Sequence, residues 1–302
     1  MEKLKIGIPR ALLYYKYGTL WTNFLTNLGM EFVLSPETNK EILESGSKLI
    51  DDESCLATKI YMGHVSYLVD KCDLILIPRI ICLKKNEKLC TNFSCLYDLV
   101  RNVLPCKILH YNIDINKNED EFYAFVTLGL ELGFSYRKSV SAYRLAKEKE
   151  KLVQDYKLLN QNKLLLESTK TKVLLSGHPY NLYDSFIGKK VINILEEMDV
   201  DLIYSDIYDG LSLKRDLEKV TKRNYWTYSR EQIAATSYYS NKVDGIILIT
   251  AFPCGPDSLS NEMILRNLKT NIINLVIDEN SGDTGLVTRI ESFIDIIKEK
   301  NQ

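Results

Sequence analysis

Short apolar runs recur along this chain, each followed by a longer stretch in which apolar residues return every three or four positions. The runs are KIGI (Lys5 to Ile8), EFVL (Glu31 to Leu34), LILIPRI (Leu74 to Ile80) and Lys107 to Tyr111. They resume with KVLLS (Lys172 to Ser176), Asp201 to Tyr204, GIILIT (Gly245 to Thr250) and Asn271 to Ile277. Runs of this length and composition predict buried strands, and the stretches between them predict helices. Helices are expected over Ala11 to Leu28, Thr38 to Ser47, Asp51 to Val69, from the end of an 81–95 loop to Val103, and Glu119 to Leu132. The second half predicts helices over Phe186 to Met198, Trp226 to Asn241, Ser260 to Leu268 and Leu286 to Lys298. Gly29 should end the first helix, and Asn39 or Thr38 should cap the second. Asp51, Asp52, Glu53 and Ser54 read as the acidic start of the third. Pro78 removes a ladder donor, so it fits best near the end of its strand.

The opening β–α–β pattern returns at Lys172. That echo predicts an α/β protein of two Rossmann-like or flavodoxin-like parallel-sheet domains, residues 1–137 and 171–302. Residues 138–170 (LAKEKEKLVQDYKLL at their centre) contain no Pro or Gly and predict a connecting helix. Two sheets facing each other would make a cleft.

Length and charge narrow the classes. At 302 residues, two domains are the expectation. The net charge of −1 suggests neither a nucleic-acid partner nor an anionic membrane. No apolar stretch approaches the roughly 20 residues of a membrane helix. The first residues lack a signal-peptide layout, because Pro9 and Arg10 break the apolar run. A cytoplasmic location is expected. Seven cysteines, an odd number, argue against a disulfide framework and for metal, redox or structural roles.

In parallel sheets, ligands bind beyond the carboxyl ends of the strands. Residues 81–95, 177–184 (GHPYNLYD), 251–258 (AFPCGPDS) and 278–285 (DENSGDTG) fall there. Phosphate-cradle glycine motifs, H-E-x-x-H and G-x-S-x-G are absent. The cysteines carry the strongest signal. Cys72 and Cys106 precede strands and read as buried structural thiols. Cys55 opens a helix, where the anionic form of a group is favoured, and the thiolate is the metal-binding form. Cys254 lies in a Pro-Cys-Gly-Pro turn. Cys82, Cys90 and Cys95 share the 81–95 loop, and no C-x2-C pair occurs. The residues alone thus mark Cys55, Cys254 and one of three loop cysteines, against the plainer reading of seven structural thiols.

Several long segments carry a resemblance. KIGIPRALLYYKYGTLWTNFLTNLGMEFVLSPETNKEILESG, DDESCLATKIYMGHVSYL and DLILIPRI followed by Cys90 resemble the 2-hydroxyacyl-CoA dehydratase D-component superfamily. Its members include 2-hydroxyglutaryl-CoA dehydratase and double-cubane-cluster proteins. The similarity is to its branch of small CoA-enzyme-activase-related proteins in particular. GHPYNLYD, FPCGPDSL and DENSGDTGLVTRIESFID are similar to that branch's remaining motifs. The resemblance implies two or more Rossmann-like lobes with an iron–sulfur cluster in the cleft. It implies a [4Fe-4S] cubane on three cysteines per chain with one iron open, or a double cubane shared in a dimer. In the dehydratases, the open iron can bind a thioester carbonyl. A separate ATP-hydrolysing activator delivers one electron to form a ketyl radical, and water is eliminated. The sister group performs ATP-driven reductions of small molecules. A homo- or heterodimer acting on an acyl-CoA or another small molecule is implied, as a lyase or reductase component.

Carried over by position, Cys55 in DESCL, Cys90 after the PRI strand and Cys254 in CGPDS match the ligands. Leu56 and Thr91 stand where the branch usually has proline. Cys82 is the rival to Cys90, because the dehydratases place that ligand nearer the strand end. His178 could donate to a cluster sulfide or substrate carbonyl, or shuttle a proton; the alternative is a turn histidine. Tyr180 and Asn181 share its turn. His64 reads as core packing. Asp278, Glu279 and Asn280 face the expected cleft or cap the next helix, while Arg289 and Glu291 read as structural. Lys84, Lys85 and Lys88 read as a solvated loop that could also offset cluster charge. Two further functions compete with the enzyme: an iron–sulfur electron carrier or cluster-carrying partner, and a cluster-free binding protein.

Overall fold

A computed structural model describes residues 4–300; Met1 to Lys3 and Asn301 to Gln302 lie outside the described residues. It contains two four-stranded sheets, both wholly parallel. The chain forms two compact units, Met1–Val153 with Tyr225–Thr227, and Gln154–Asn224 with Tyr228–Gln302. No described helix is long and apolar enough to cross a membrane.

The first unit runs β1 (Lys5–Ile8), α1 (Tyr14–Leu28), β2 (Glu31–Leu34), α2 (Lys40–Ser47), α3 (Leu56–Leu68), β3 (Leu74–Cys82), α4 (Thr91–Val103), β4 (Ile108–Asp114) and α5 (Glu121–Glu131). Helix α6 (Tyr136–Glu167) crosses the unit boundary. The second unit continues with β5 (Lys172–Ser176), α7 (Pro179–Tyr183), α8 (Gly188–Glu196), β6 (Asp201–Tyr204), α9 (Leu213–Glu218), α10 (Thr227–Tyr239), β7 (Gly245–Ala251), α11 (Gly255–Asn267), β8 (Asn271–Ile277) and α12 (Asp283–Glu299). The strand orders, β2-β1-β3-β4 and β6-β5-β7-β8, are the same. The fold is therefore α/β with two Rossmann- or flavodoxin-like sheets.

Local chemistry explains several boundaries. Gly29 takes φ 82° after α1, and the Gly29 and Met30 amides close on Thr26 and Leu25 carbonyls, the paired bonds of a Schellman stop. Asn39 caps α2 by accepting from the Ile42 amide at 2.9 Å. Pro78 lies in the middle of β3, not near its end. The β1 ladder stops at Ile75, so on that side there is no pairing for the missing donor to break. Several helix starts differ from the pattern-based expectation. Helix α3 begins at Leu56, after the acidic residues, and α4 begins at Thr91 inside the expected loop. Helix α11 begins at Gly255, five residues before the expected Ser260, and α7 forms within the expected 177–184 turn.

Helices α2 and α3 touch backbone to backbone. A Cβ on Gly46 would overlap the Lys59 carbonyl oxygen, and one on Gly63 would overlap that of Ile42. This contact sets where α3, and so Cys55 at its start, sits against the sheet. At an open helical position Gly→Ala stabilises by about 1 kcal/mol. Gly63→Ala is expected to do the reverse, lowering stability by about 2–3 kcal/mol through overpacking. A thermal melt with a several-degree rise would contradict the contact.

Candidate functional site

Both sheets reverse strand order at one point, between β1 and β3 in the first unit and between β5 and β7 in the second. Ligands gather beyond the carboxyl ends of strands at such reversals.

In the first unit, Cys55 is the N-cap of α3 and Cys90 the N-cap of α4. Both have extended backbones, and neither side chain makes a capping hydrogen bond. Asn92, in the first turn of α4, joins the two helix starts. Its Nδ2 donates to Thr58 Oγ1 at 2.8 Å and to Cys55 Sγ at 3.5 Å. Cys55 Sγ lies 3.1 Å from Thr58 Oγ1. The approach to Cys90 is pinned from far along the chain. Lys88 donates its amide to the Tyr225 carbonyl and accepts from the Thr227 amide, at 2.8 and 2.9 Å. Two half-buried thiols thus stand at adjoining helix N-termini, where the aligned peptide dipoles favour negative charge.

The other loop cysteines do not share this placement. The 81–95 segment is not one loop. Cys82 is the last residue of β3, buried, and its thiol donates to the Lys84 carbonyl at 3.0 Å. Cys95 lies within α4 and is exposed. Cys72 and Cys106 are half-buried rather than fully buried, and burial pushes both thiols up. Cys72 donates to the Leu68 carbonyl. No cysteine is in a disulfide.

His64 is fully buried, with Nδ1 2.8 Å from Ser35 Oγ and Nε2 2.9 Å from Thr38 Oγ1. It ties α3 to the segment after β2 and serves packing, as the sequence suggested. Burial, helped by the Arg10 charge, lowers its pKa from 6.5 to about 3. The ring is neutral in the folded chain, so its contribution to stability is complete above pH 6.5. It is lost as the pH falls from 6.5 towards 3, because only the unfolded chain takes up the proton. The expected slope is up to about 1.4 kcal/mol per pH unit. Melts from pH 7 to pH 4 (about) should show it, and His64→Gln should flatten it; an unchanged slope in His64→Gln would sink the assignment.

In the second unit, His178 is the N-cap of α7, directly after β5. Cys254 is the N-cap of α11, after β7 and a cis Phe252–Pro253 peptide. Cys254 is half-buried, with no capping bond from its side chain. Asp257, in the first turn of α11, brings these two starts together. Its Oδ1 lies 2.7 Å from His178 Nε2, an ion-pair separation without hydrogen-bond alignment. Its Oδ2 accepts from Asn181 Nδ2 at 3.1 Å. The Tyr180 ring packs 5.2 Å from His178. Beneath lies a buried polar network. Ser176 Oγ meets Thr236 Oγ1 at 2.7 Å, and Gln232 reaches both Ser176 and Asn261. Asn261 donates to Thr250 Oγ1 at 2.7 Å and to Asn274 Oδ1 at 3.2 Å.

Asp278 accepts from the Asn280 amide and the Ser281 hydroxyl, a local turn. Arg289 donates to the Asn274 carbonyl. Lys84, Lys85 and Lys88 are exposed. Asn92, Thr58, Asp257 and Gln232 escaped the sequence reading. Single polar residues on helices carry no spacing signal; only the neighbouring element reveals what each one meets.

Among the described residues, no three His, Cys, Asp or Glu side chains stand close enough to hold a metal ion. The donor chemistry nonetheless suits a thiophilic cluster. Cys55 and Cys90 adjoin in one unit, and Cys254 holds the equivalent helix-start position in the other.

The family model described as "CoA enzyme activase uncharacterised domain (DUF2229)" matches residues 5–207, about two thirds of the chain. Cys55, Cys90 and His178 lie inside the match; Cys254 and Asp257 lie beyond it. No curated protein matches. Among solved structures, the SBP FpvC from P.aeruginosa in complex with a Ni2+ ion is 10% identical, covering 99% of this chain and 98% of that one, at a TM-score of 0.30. The C-terminal domain of glucosamine-fructose-6-phosphate aminotransferase from Francisella tularensis is 13% identical, covering 98% and 86%, at 0.25. Scores this low carry neither fold nor function across.

Proposed function

Because the chain belongs to the family of the CoA enzyme activase uncharacterised domain, we propose that it is an iron–sulfur protein of the 2-hydroxyacyl-CoA dehydratase type. It receives low-potential electrons from a separate ATP-hydrolysing activator and uses them on an acyl-CoA or another small substrate. The observation that carries this reading is the shared placement of three thiols. Cys55, Cys90 and Cys254 are each the N-cap of a helix whose start lies on the carboxyl side of a parallel sheet.

Cys55, Cys90 and Cys254 are the residues that would hold the cluster, each from the N-terminus of a helix. A bound cluster supplies one-electron transfer at low potential and an iron open to an oxygen ligand. Asn92 orients Cys55 and fixes its distance from the start of α4. Cys82 is the weaker ligand, because its proton is committed to the Lys84 carbonyl. His178, held by Asp257, exchanges a proton with a substrate oxygen. Asp257 acts as a positioning residue for that ring.

Anaerobic reconstitution tests the reading. About four irons and four sulfides per chain are expected for a cubane. Cys90→Ala should lose most of the iron, whereas Cys82→Ala should keep it. A wild-type chain that binds no iron would end the proposal, and a loss confined to Cys82→Ala would reassign the second ligand. With an activator, ATP and reductant present, turnover of a 2-hydroxyacyl-CoA or a small unsaturated molecule supports catalysis. Asp257→Asn should then slow turnover about tenfold or more with the iron count unchanged; equal turnover would remove Asp257 from the mechanism.

A further inference from the structure

The Cys55 sulfur is the meeting point of hydrogen-bond donors from two helices. Asn92 Nδ2 lies 3.5 Å from it and Thr58 Oγ1 3.1 Å. Sulfur is larger than oxygen, so both are contact distances. An amide nitrogen carries two hydrogens and accepts none. One goes to Thr58 Oγ1 at 2.8 Å, which leaves the other for the sulfur. A threonine hydroxyl has one hydrogen to give. Its oxygen already accepts from Asn92, so that hydrogen is free to turn to Cys55 Sγ. A sulfur that ligates metal has no proton of its own and only accepts. The three groups therefore close into one arrangement, with both donors on one sulfur.

The surroundings hold that arrangement in place. The Cys55 carbonyl accepts the Thr58 and Lys59 amides, at 2.8 and 3.1 Å, so the residue is tied to the first turn of α3. Thr58 is buried. Joining α3 to α4 needs only the bond between Asn92 and Thr58; the second N–H reaches the thiol itself. Hydrogen bonds to the sulfurs are among the features that set the reduction potential of an iron–sulfur site. One-electron reduction adds one negative charge there, with no protein bond made or broken. Donor dipoles favour the state with more negative charge on the sulfur, and bonds to a charged acceptor are roughly twice as strong as neutral ones. Two donors on one ligand sulfur therefore raise the potential.

We propose that Thr58 and Asn92 are positioning residues that set the reduction potential of the site at Cys55, by hydrogen bonds to its sulfur that make the site easier for the activator to reduce. The inference rests on the iron–sulfur reading and adds to it the residues that tune electron uptake.

An anaerobic redox titration of the reconstituted full chain with titanium(III) citrate, followed by absorbance, tests it, with iron counted on the same samples. Thr58→Val removes the hydroxyl donor, and Asn92→Leu removes the amide. Each should lower the ratio of reduced to oxidised chains at a fixed solution potential about tenfold, a shift of about 59 mV towards negative potential for one electron. Thr58→Ser keeps a hydroxyl and should keep the wild-type potential. Iron content should be the same in all four proteins. A purely structural bridge between α3 and α4 would change melting temperature and leave the potential alone. Iron-loaded Thr58→Val and Asn92→Leu at the wild-type potential, or Thr58→Ser shifted as far as Thr58→Val, overturn this inference and leave the iron–sulfur reading standing. Loss of iron from Thr58→Val also overturns it, since the pair then holds the ligand instead of tuning it. A wild type that takes up no iron overturns both.

Discussion

Parallel strands cannot be joined by tight turns. Each connection must cross back over the sheet, and the crossover is helical and right-handed. That constraint governs everything of chemical interest in this chain. A helix that returns from the carboxyl end of a strand starts at that end, with its unpaired amides and its positive dipole pole there. Cys90, His178 and Cys254 cap helices that follow β3, β5 and β7 directly. Cys55 reaches the same edge by a longer route, because α2 intervenes between β2 and α3. Four chemically capable side chains thus share one kind of place for a topological reason.

What holds those places differs between the units. In the first, geometry is fixed by close backbone packing of α2 on α3 and by a few polar ties, Asn92 to Thr58 and His64 between Ser35 and Thr38. In the second, the carboxyl end of the sheet rests on buried polar side chains, from Ser176 and Thr236 through Gln232 to Asn261 and Asn274. Apolar packing would suit stability at least as well there, because each buried amide must recover its lost hydration through well-placed partners. Asn181 Oδ1 and Gln232 Oε1 find no such partner among the described residues. A network that tolerates this cost beside His178 and Asp257 is the kind found where a polar group must be held in one orientation.

The thiols illustrate how environment separates residues of one type. Cys72, Cys106 and Cys82 are committed to burial or to backbone carbonyls. Cys55, Cys90 and Cys254 lie half-buried at helix starts with no capping bond from the side chain. Cys95 is set apart by exposure on a helix body. Sequence spacing could not sort Cys82, Cys90 and Cys95, because all three fall within fourteen residues of one another. The start of α4 at Thr91 sorts them, and that start depends on the pairing of Lys88 with Tyr225 and Thr227.

The sequence by itself determined the eight strands, their alternation with helices and the repeat of one pattern in two halves. Those are local properties: apolar runs, helical spacing, a glycine after Leu28 and an asparagine before α2 report on their own neighbourhood. The sequence also marked His178 and the three cysteines as chemically notable. Tertiary structure decided the strand order, the central place of Pro78 in β3, the union of the α3 and α4 starts through Asn92, and the meeting of Asp257 with His178. It alone left Leu145, Leu152, Leu159 and Leu166 on a face its own fold does not cover. These facts depend on which elements become neighbours after long crossovers. A single polar or apolar residue carries no record of a partner dozens of positions away.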